Sequence, residues 1–451
     1  MKSSDSMKNL IAEELTERRE EGCDTERIRQ SFVSCGDDCD KLNSIYRELT
    51  ELEVSAEFPY YEPNSLDEII RCSPGGFEPS VGKVSEDKFF GAWLGRCIGC
   101  ALGKPFEASP FTGGRDGVPG YKFIYEWYKG ADAYPIDNYA PSASRAEKQL
   151  DIRLERGSAP CYRENIAFMQ TDDDIRFMVI ALKLLEKKGL GFTLKDVSDN
   201  WRGNLTAGMV FTAEYRAYVN SLIANEFYDE CDEKYEFIRM NKNPYREWIG
   251  AQIRIDVYAY VCAGNPQKAA ELAYRDACYS HVKNGVYGAM FCAAMIAAAF
   301  TEKSAERVLD AGLSVIPQGS RLFHAVNTAR VIAEGAKSEL ELAEKINREF
   351  GNYHSIHSIN NTALCAAAVA FGKGDFEKSI TAAVLGGWDT DCNGATVGSV
   401  LGAVNGVGAI PKKWSAPLND TLYSSIPDFH PIKISECAKR TYRIWQSEHS
   451  R

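Results

Sequence analysis

Glycine recurs at every fourth position through the stretch SEDKFFGAWLGRCIGCALGKPFE, at Gly91, Gly95, Gly99 and Gly103. The small and apolar residues between them predict a helix, with Ser85 as its N-cap and Glu86 and Asp87 in its first turn. One face of that helix carries no side chains, at a cost of about 1 kcal/mol per glycine relative to alanine. Close approach of a neighbouring helix or of a ligand to the bare backbone is the compensation this pattern points to. The chain is therefore constrained to bring something against this face.

The rest of the sequence points the same way. Ile175–Glu186, Pro266–Ala277, Gly288–Phe300, Glu339–Phe350, Thr362–Phe371 and Phe376–Leu385 are Ala- and Leu-rich stretches of helical period, and alternating strand patterns are nearly absent. The expected fold class is all-α, helix packed on helix. Residues 1–85 differ in character. Between Lys8 and Glu51 the chain is dense in charge, with Leu10, Ile11, Leu15, Ile28, Phe32, Leu42, Ile45, Tyr46 and Leu49 at helical intervals. This predicts two or three amphipathic helices broken near Gly22–Asp24 and Cys35–Asp38, followed by a Pro- and Gly-bearing linker. The expected division is a helical extension over residues 1–85, packed on a main domain over 86–451. Ser109–Gly157, rich in Gly, Pro, Tyr and Asp, reads as a long irregular insertion of the kind that serves function.

Charge and cysteine content exclude several classes. Against 52 Lys and Arg stand 63 Asp and Glu, a net charge of −11, so nucleic acid is not an expected partner. The amino terminus lacks the apolar core of a secretory signal, and the longest apolar run, Phe291–Phe300, is too short to span a bilayer, so no membrane is expected. A cytoplasmic chain is expected, with its 14 cysteines as free thiols. Cys97 with Cys100, and Cys35 with Cys39, are close pairs. The first looks helical, and most of the thiols read as small buried hydrophobes rather than zinc ligands.

Two carboxylate clusters carry the chemistry. Thr171-Asp172-Asp173-Asp174 precedes the apolar helix IRFMVIALKLLE, and Trp388-Asp389-Thr390-Asp391-Cys392-Asn393 precedes the small-residue helix ATVGSVLGAVNG. A helix N-terminus favours an anion, so capping accounts for one aspartate at each place. Three in a row exceed what a cap needs, and their repulsion calls for a cation. Hard carboxylate oxygens select Mg²⁺, Mn²⁺ or Ca²⁺ over zinc, and two such helix starts can share a two-metal site that activates water.

The motifs GAWLGRCIGCALGKPFE, TDDD and GGWDTDCNGATVGSVLGA, in that order from Gly91 to Ala403, resemble those of the ADP-ribosylglycohydrolase family. The resemblance covers roughly residues 86–430. It implies an all-α bundle with a dinuclear magnesium centre at the base of a cleft. Thr171, Asp172 and Asp173 match the first metal-binding cluster, and Asp389 and Asp391 the second, with Asp391 bridging both ions. Glu107 matches the catalytic glutamate that orients or deprotonates the attacking water. One position departs: the family's last threonine of the second cluster is here Cys392, a soft ligand poorly suited to Mg²⁺. The first metal is expected to be retained and the second altered, with Asn393 a candidate replacement oxygen.

The implied substrate is an ADP-ribosylated protein or a small ADP-ribose derivative, cleaved at its glycosidic bond. Ile249–Arg254 resembles the family's glycine loop around ribose and phosphates, which singles out Gly250, Gln252 and Arg254; a plain helix start after Asn243-Pro244 is the alternative. Ser280–Tyr287 resembles the segment that places a histidine near the ligand. There His281, an Asn-Gly turn at Asn284 and Gly285, and Tyr287 as a stacking surface for adenine compete with an ordinary core role. His354, His357, Asn360 and Asn361 either line the same cleft or cap the following helix, and capping is the favoured reading. Two other functions stay open: a nucleoside N-ribohydrolase-type enzyme, disfavoured because the clusters front helices far apart, and a non-catalytic ADP-ribose-binding member of the fold.

Overall fold

The computed structural model describes residues 3–449, whose regular elements are almost all helices. The extension contributes α1 (Ser3–Glu20), α2 (Glu26–Ser34), α3 (Cys39–Thr50) and α4 (Leu66–Cys72). Ile11, Ile28, Leu42, Ile45 and Leu49 meet in a small core of their own, so the helical spacing of the sequence translates into one packed face. The breaks fall where Gly22 and Gly36 adopt positive φ, and Asp38 caps α3 by accepting the amides of Asp40 and Lys41.

In the main body α5 (Glu86–Gly103) is the glycine helix. Ser85 sits at its N-cap in an extended conformation, but its side chain makes no capping bond. The insertion is more ordered than its composition predicts. It holds α6 (Gly120–Gly130), whose Tyr121, Phe123, Ile124, Trp127 and Tyr128 are buried, and the short α7 (Ala146–Leu150). Aromatic residues with modest helix propensity disguised this amphipathic segment. Next come α8 (Asp173–Lys188), α9 (Leu194–Asn204), α10 (Thr212–Phe227), α11 (Asp232–Met240), α12 (Asp256–Val261) and α13 (Pro266–Ala277). The buried α14 (Lys283–Ala299) follows, with α15 (Ala305–Leu313), α16 (Arg321–Gly335) and α17 (Glu339–Phe350). The last group is α18 (Ser358–Gly372), α19 (Phe376–Leu385), α20 (Thr390–Asn405), α21 (Lys412–Ser415) and α22 (Ile434–His449), with one tiny antiparallel ladder of β1 (Thr421–Leu422) and β2 (Ile432–Lys433).

The partner of the glycine face is α20. A Cβ built on Gly91, Gly95 or Gly99 would overlap the carbonyl oxygen of Gly402, Gly398 or Gly394 respectively, and one on Gly103 would overlap Thr390. The two helices run antiparallel with backbone against backbone, and each supplies glycines to the other. Cys97 and Cys100 are buried free thiols within α5. No helix among the described residues is long and apolar enough to cross a membrane.

Candidate metal centre

Because α5 and α20 are antiparallel, the end of one lies beside the start of the other. Lys104 and Glu107 follow α5, while Asp389 and Asp391 open α20, and Thr390 Oγ1 donates to the Gly103 carbonyl to fix the join at 2.9 Å. Trp388 precedes them at φ 63°, a left-handed conformation costly for a bulky residue and of a kind that clusters at functional sites. Helix α8 delivers the other acids. Asp172 is its N-cap, accepting the Asp174 amide at 3.0 Å, and Asp173 lies in its first turn.

These segments converge. Lys104, Glu107, Thr171, Asp172, Asp173, Asp389 and Cys392 all line one cavity of about 490 Å³. Glu107, Asp389 and Asp391 present oxygens within 4.8 Å of one another, and Asp391 also comes within that distance of Asp172. Asp391 is fully buried, and neither of its carboxylate oxygens receives a hydrogen bond. Burial and the neighbouring acids raise the pKa of Asp173, Asp389 and Glu107, with Asp391 the main charged neighbour of the last two. Burial would raise Asp172 as well, but the Lys104 ammonium bound to it brings its pKa down to about 2. Lys104 also reaches Glu107 at 3.5 Å. An orphaned buried carboxylate among hard oxygen donors fits a divalent cation, and the residues present are of the type that holds Mg²⁺ or Mn²⁺.

The third aspartate of the run has a different task. Asp174 is fully buried and bound by Arg96, which reaches Asp256 at 2.9 Å as well, so these pairs tie α5, α8 and α12 together behind the cavity. Cys392 Sγ lies 3.1 Å from Asp174 Oδ2. Asn393 is fully buried and turned to Asn361 at 2.7 Å, away from the cavity lining.

Of the residues expected to contact substrate, Gly250 is in the cavity wall. Ile249–Arg254 is a 3-10 turn, in which residues three apart share a face. Gly250 and Ile253 face the cavity. Gln252 points into the core, where it accepts from Thr362 at 2.6 Å, and Arg254 binds Glu214 at 2.7 Å and also Asp276. Arg254 is thus a buried strut for Glu214, which itself lines the cavity. His281 is fully buried outside the lining, held by Ser280 at 2.8 Å, and burial drives its pKa well down. Asn284 and Gly285 lie in the first turn of α14 rather than in a free turn. A side chain on Gly285 would strike His281 and the Arg246 carbonyl, so this glycine serves packing. Tyr287 is buried with its hydroxyl on the Pro63 carbonyl, leaving no free face for a base. His357 caps α18, accepting the Ile359 amide through Nδ1 at 3.1 Å.

The cavity also holds residues that motif reading did not select. Arg176 follows Asp172 by one turn of α8 and donates to Thr171 Oγ1 at 3.3 Å, its side chain bordering the cavity. Phe211, 55% exposed, and Trp388 offer aromatic surface. Spacing from Asp172 could have pointed to Arg176; nothing local marks Phe211.

The ADP-ribosylglycohydrolase family model matches residues 82–448. No curated protein matches the chain. Among solved structures, one titled "ADP-ribosylglycohydrolase-related protein complex" has 20% sequence identity and a TM-score of 0.46, covering 80% of this chain and 98% of that one. With four-fifths of its length matched by that family model, the chain belongs to the ADP-ribosylglycohydrolase family.

Proposed function

We propose that this protein hydrolyses the glycosidic bond of an ADP-ribosyl group in a magnesium-dependent reaction, releasing ADP-ribose from a modified protein side chain or a small derivative. The convergence of Asp172, Asp173, Asp389 and Glu107 on one cavity, with Asp391 buried and unpartnered beneath them, carries this reading. Thr171, Asp172, Asp173, Asp389 and Asp391 would hold the ions, which supply Lewis acidity and lower the pKa of bound water.

The chain's own groups account for the rest. Glu107 stands at the cavity edge of the acid cluster, with its pKa raised by burial and by Asp391, and in its ionised form it takes a proton from the attacking water. Lys104 keeps Asp172 ionised and in place. Arg176 offers a guanidinium for the diphosphate, and Phe211 a face on which adenine stacks. Glu214, neutralised by Arg254, is left to accept a hydroxyl or amino hydrogen from the ligand. Aligning sugar, water and base in one cavity supplies much of the rate enhancement.

The deciding experiment incubates the protein with Mg²⁺ and ADP-ribosylated arginine and serine peptides, then measures free ADP-ribose by chromatography. Release by the wild type and its loss in Asp172→Ala supports the reading. Binding without release would favour a non-catalytic role, and free base released from nucleosides would favour a ribohydrolase. The Cys392 departure adds a condition: calorimetry with Mg²⁺ is expected to show one tight and one weaker site, and two equal tight sites would refute that asymmetry.

A further inference from the structure

The extension over residues 1–85 meets the main body through buried charge. Arg246, 1% exposed, binds Glu14 at 3.0 Å, Glu17 at 3.5 Å and Glu21 at 2.8 Å, all on or just after α1. The next residue, Glu247, is bound by Arg321 at 2.7 Å, and Arg321 binds Glu62 of the extension at the same distance. Asn284 joins Glu62 and Glu247 at 2.8 and 2.7 Å. Beside them, Glu20 approaches the His357 ring at 3.6 Å.

The anchored residues run directly into the cavity wall. Arg246 and Glu247 precede Trp248, Ile249 and Gly250, and His357 follows Ser355 and Ile356; Ile249, Gly250, Ser355 and Ile356 all line the cavity. The two strips are stitched by the Ile249 amide on the Ile356 carbonyl at 2.9 Å and the Ser358 amide on the Glu247 carbonyl at 3.0 Å. Buried ion pairs cost desolvation that apolar packing avoids, and their best-attested return is a fixed geometry. A network that ends two residues short of Ile249 and Gly250, on a strip itself bonded to Ile356 and Ser358, delivers that geometry to the wall.

We propose that the N-terminal extension is a positioning element of the sugar-nucleotide site. Glu14, Glu17 and Glu21 set Arg246, Glu62 sets Arg321 and Glu247, and together they fix the part of the cavity wall formed by Ile249, Gly250, Ser355 and Ile356. The claim rests on the cavity being the ADP-ribose site, yet its physical core can be measured without any ligand.

The test is amide hydrogen exchange on the full-length protein, comparing wild type with Glu14→Gln/Glu21→Gln and, separately, with Glu62→Gln as the milder change should the double variant fail to fold. Exchange at the Ile249 and Ser358 amides is expected to quicken at least tenfold while α5 and α20 stay as in the wild type. Unchanged exchange at those amides, or equal acceleration throughout the chain, overturns the proposal. Calorimetry with ADP-ribose as probe is expected to show about tenfold weaker binding in the variants with Mg²⁺ affinity unaltered, and Arg246→Lys, which keeps the charge, a smaller loss. If the wild type binds no ADP-ribose, the reading of the cavity fails, while the exchange result still decides whether the extension sets the wall.

Discussion

Cys392 and Asp174 face each other across 3.1 Å, and Arg96 grips the same aspartate from the other side. The thiol at this position is therefore a donor to a structural carboxylate as well as part of the cavity lining. Cys392→Thr keeps the donor and adds a hard oxygen. The proposed weaker Mg²⁺ site is expected to tighten by about tenfold, roughly 1.4 kcal/mol, whereas Cys392→Ala leaves it unchanged. Calorimetric titration of the two variants checks this, and equal affinities would show that the side chain does not face the ions.

Asp391 is buried with no donor on either oxygen. Asp391→Asn removes a charge that repels Glu107 and Asp389, so without metal the variant is expected to be more stable than wild type by about 1–3 kcal/mol. Mg²⁺ should raise the melting temperature of the wild type and have little effect on the variant. Thermal unfolding with and without Mg²⁺ separates these cases. A variant less stable than wild type without metal would contradict the view of Asp391 as a ligand held in reserve.

Gly99→Ala places a methyl group into the Gly394 carbonyl. Neither backbone can yield without separating the helices, so a loss of about 3 kcal/mol or failure to fold is expected. Gly208, where an added Cβ meets open space, provides the control: Gly208→Ala should change the denaturation midpoint little.

Burial, then the charge of Glu247, pushes Glu20 up to about 7, while burial pushes His357 down to about 3. The sign follows from proton counts. Folded Glu20 keeps a proton that the unfolded chain releases near 4.5, so its contribution destabilises progressively as pH rises from about 4.5 to 7 and is constant above that. His357 works oppositely, its neutral form adding stability as pH rises from about 3 to 6.5. Glu20→Gln is expected to be stabilised relative to wild type by on the order of 3 kcal/mol at pH 8 and hardly at all at pH 4. Urea midpoints at the two pH values measure the difference.

The fold class and the breaks of the extension were legible because both depend on local period and glycine placement. The acidic cluster was legible because Asp172, Asp173, Asp389 and Asp391 stand in short motifs whose helix starts can be seen in one dimension. The rest of the cavity wall, Gly250 apart, was not. A spacing such as Gly250-x-Gln252-x-Arg254 does not reveal which face of a 3-10 turn meets solvent, and here Arg254 turns inward to Glu214 and Asp276. His281, just ahead of α14, and Tyr287, within its first turns, are both fully buried, a tertiary fact without a local signature. Arg176 lies one turn beyond Asp172, where spacing could have found it, whereas Phe211 reaches the cavity from a segment with no local signal.

The bare faces of α5 and α20 meet once per turn, at Gly91 with Gly402, Gly95 with Gly398 and Gly99 with Gly394. Sliding one helix along the other finds no comfortable stop until glycine again faces glycine, four residues or about 6 Å further on. Small drift is thereby forbidden, and Glu107 relative to Asp391 is either in register or a full notch out. The ladder behaves as a detent, and an error in its assembly would switch the acid cluster off outright instead of detuning it.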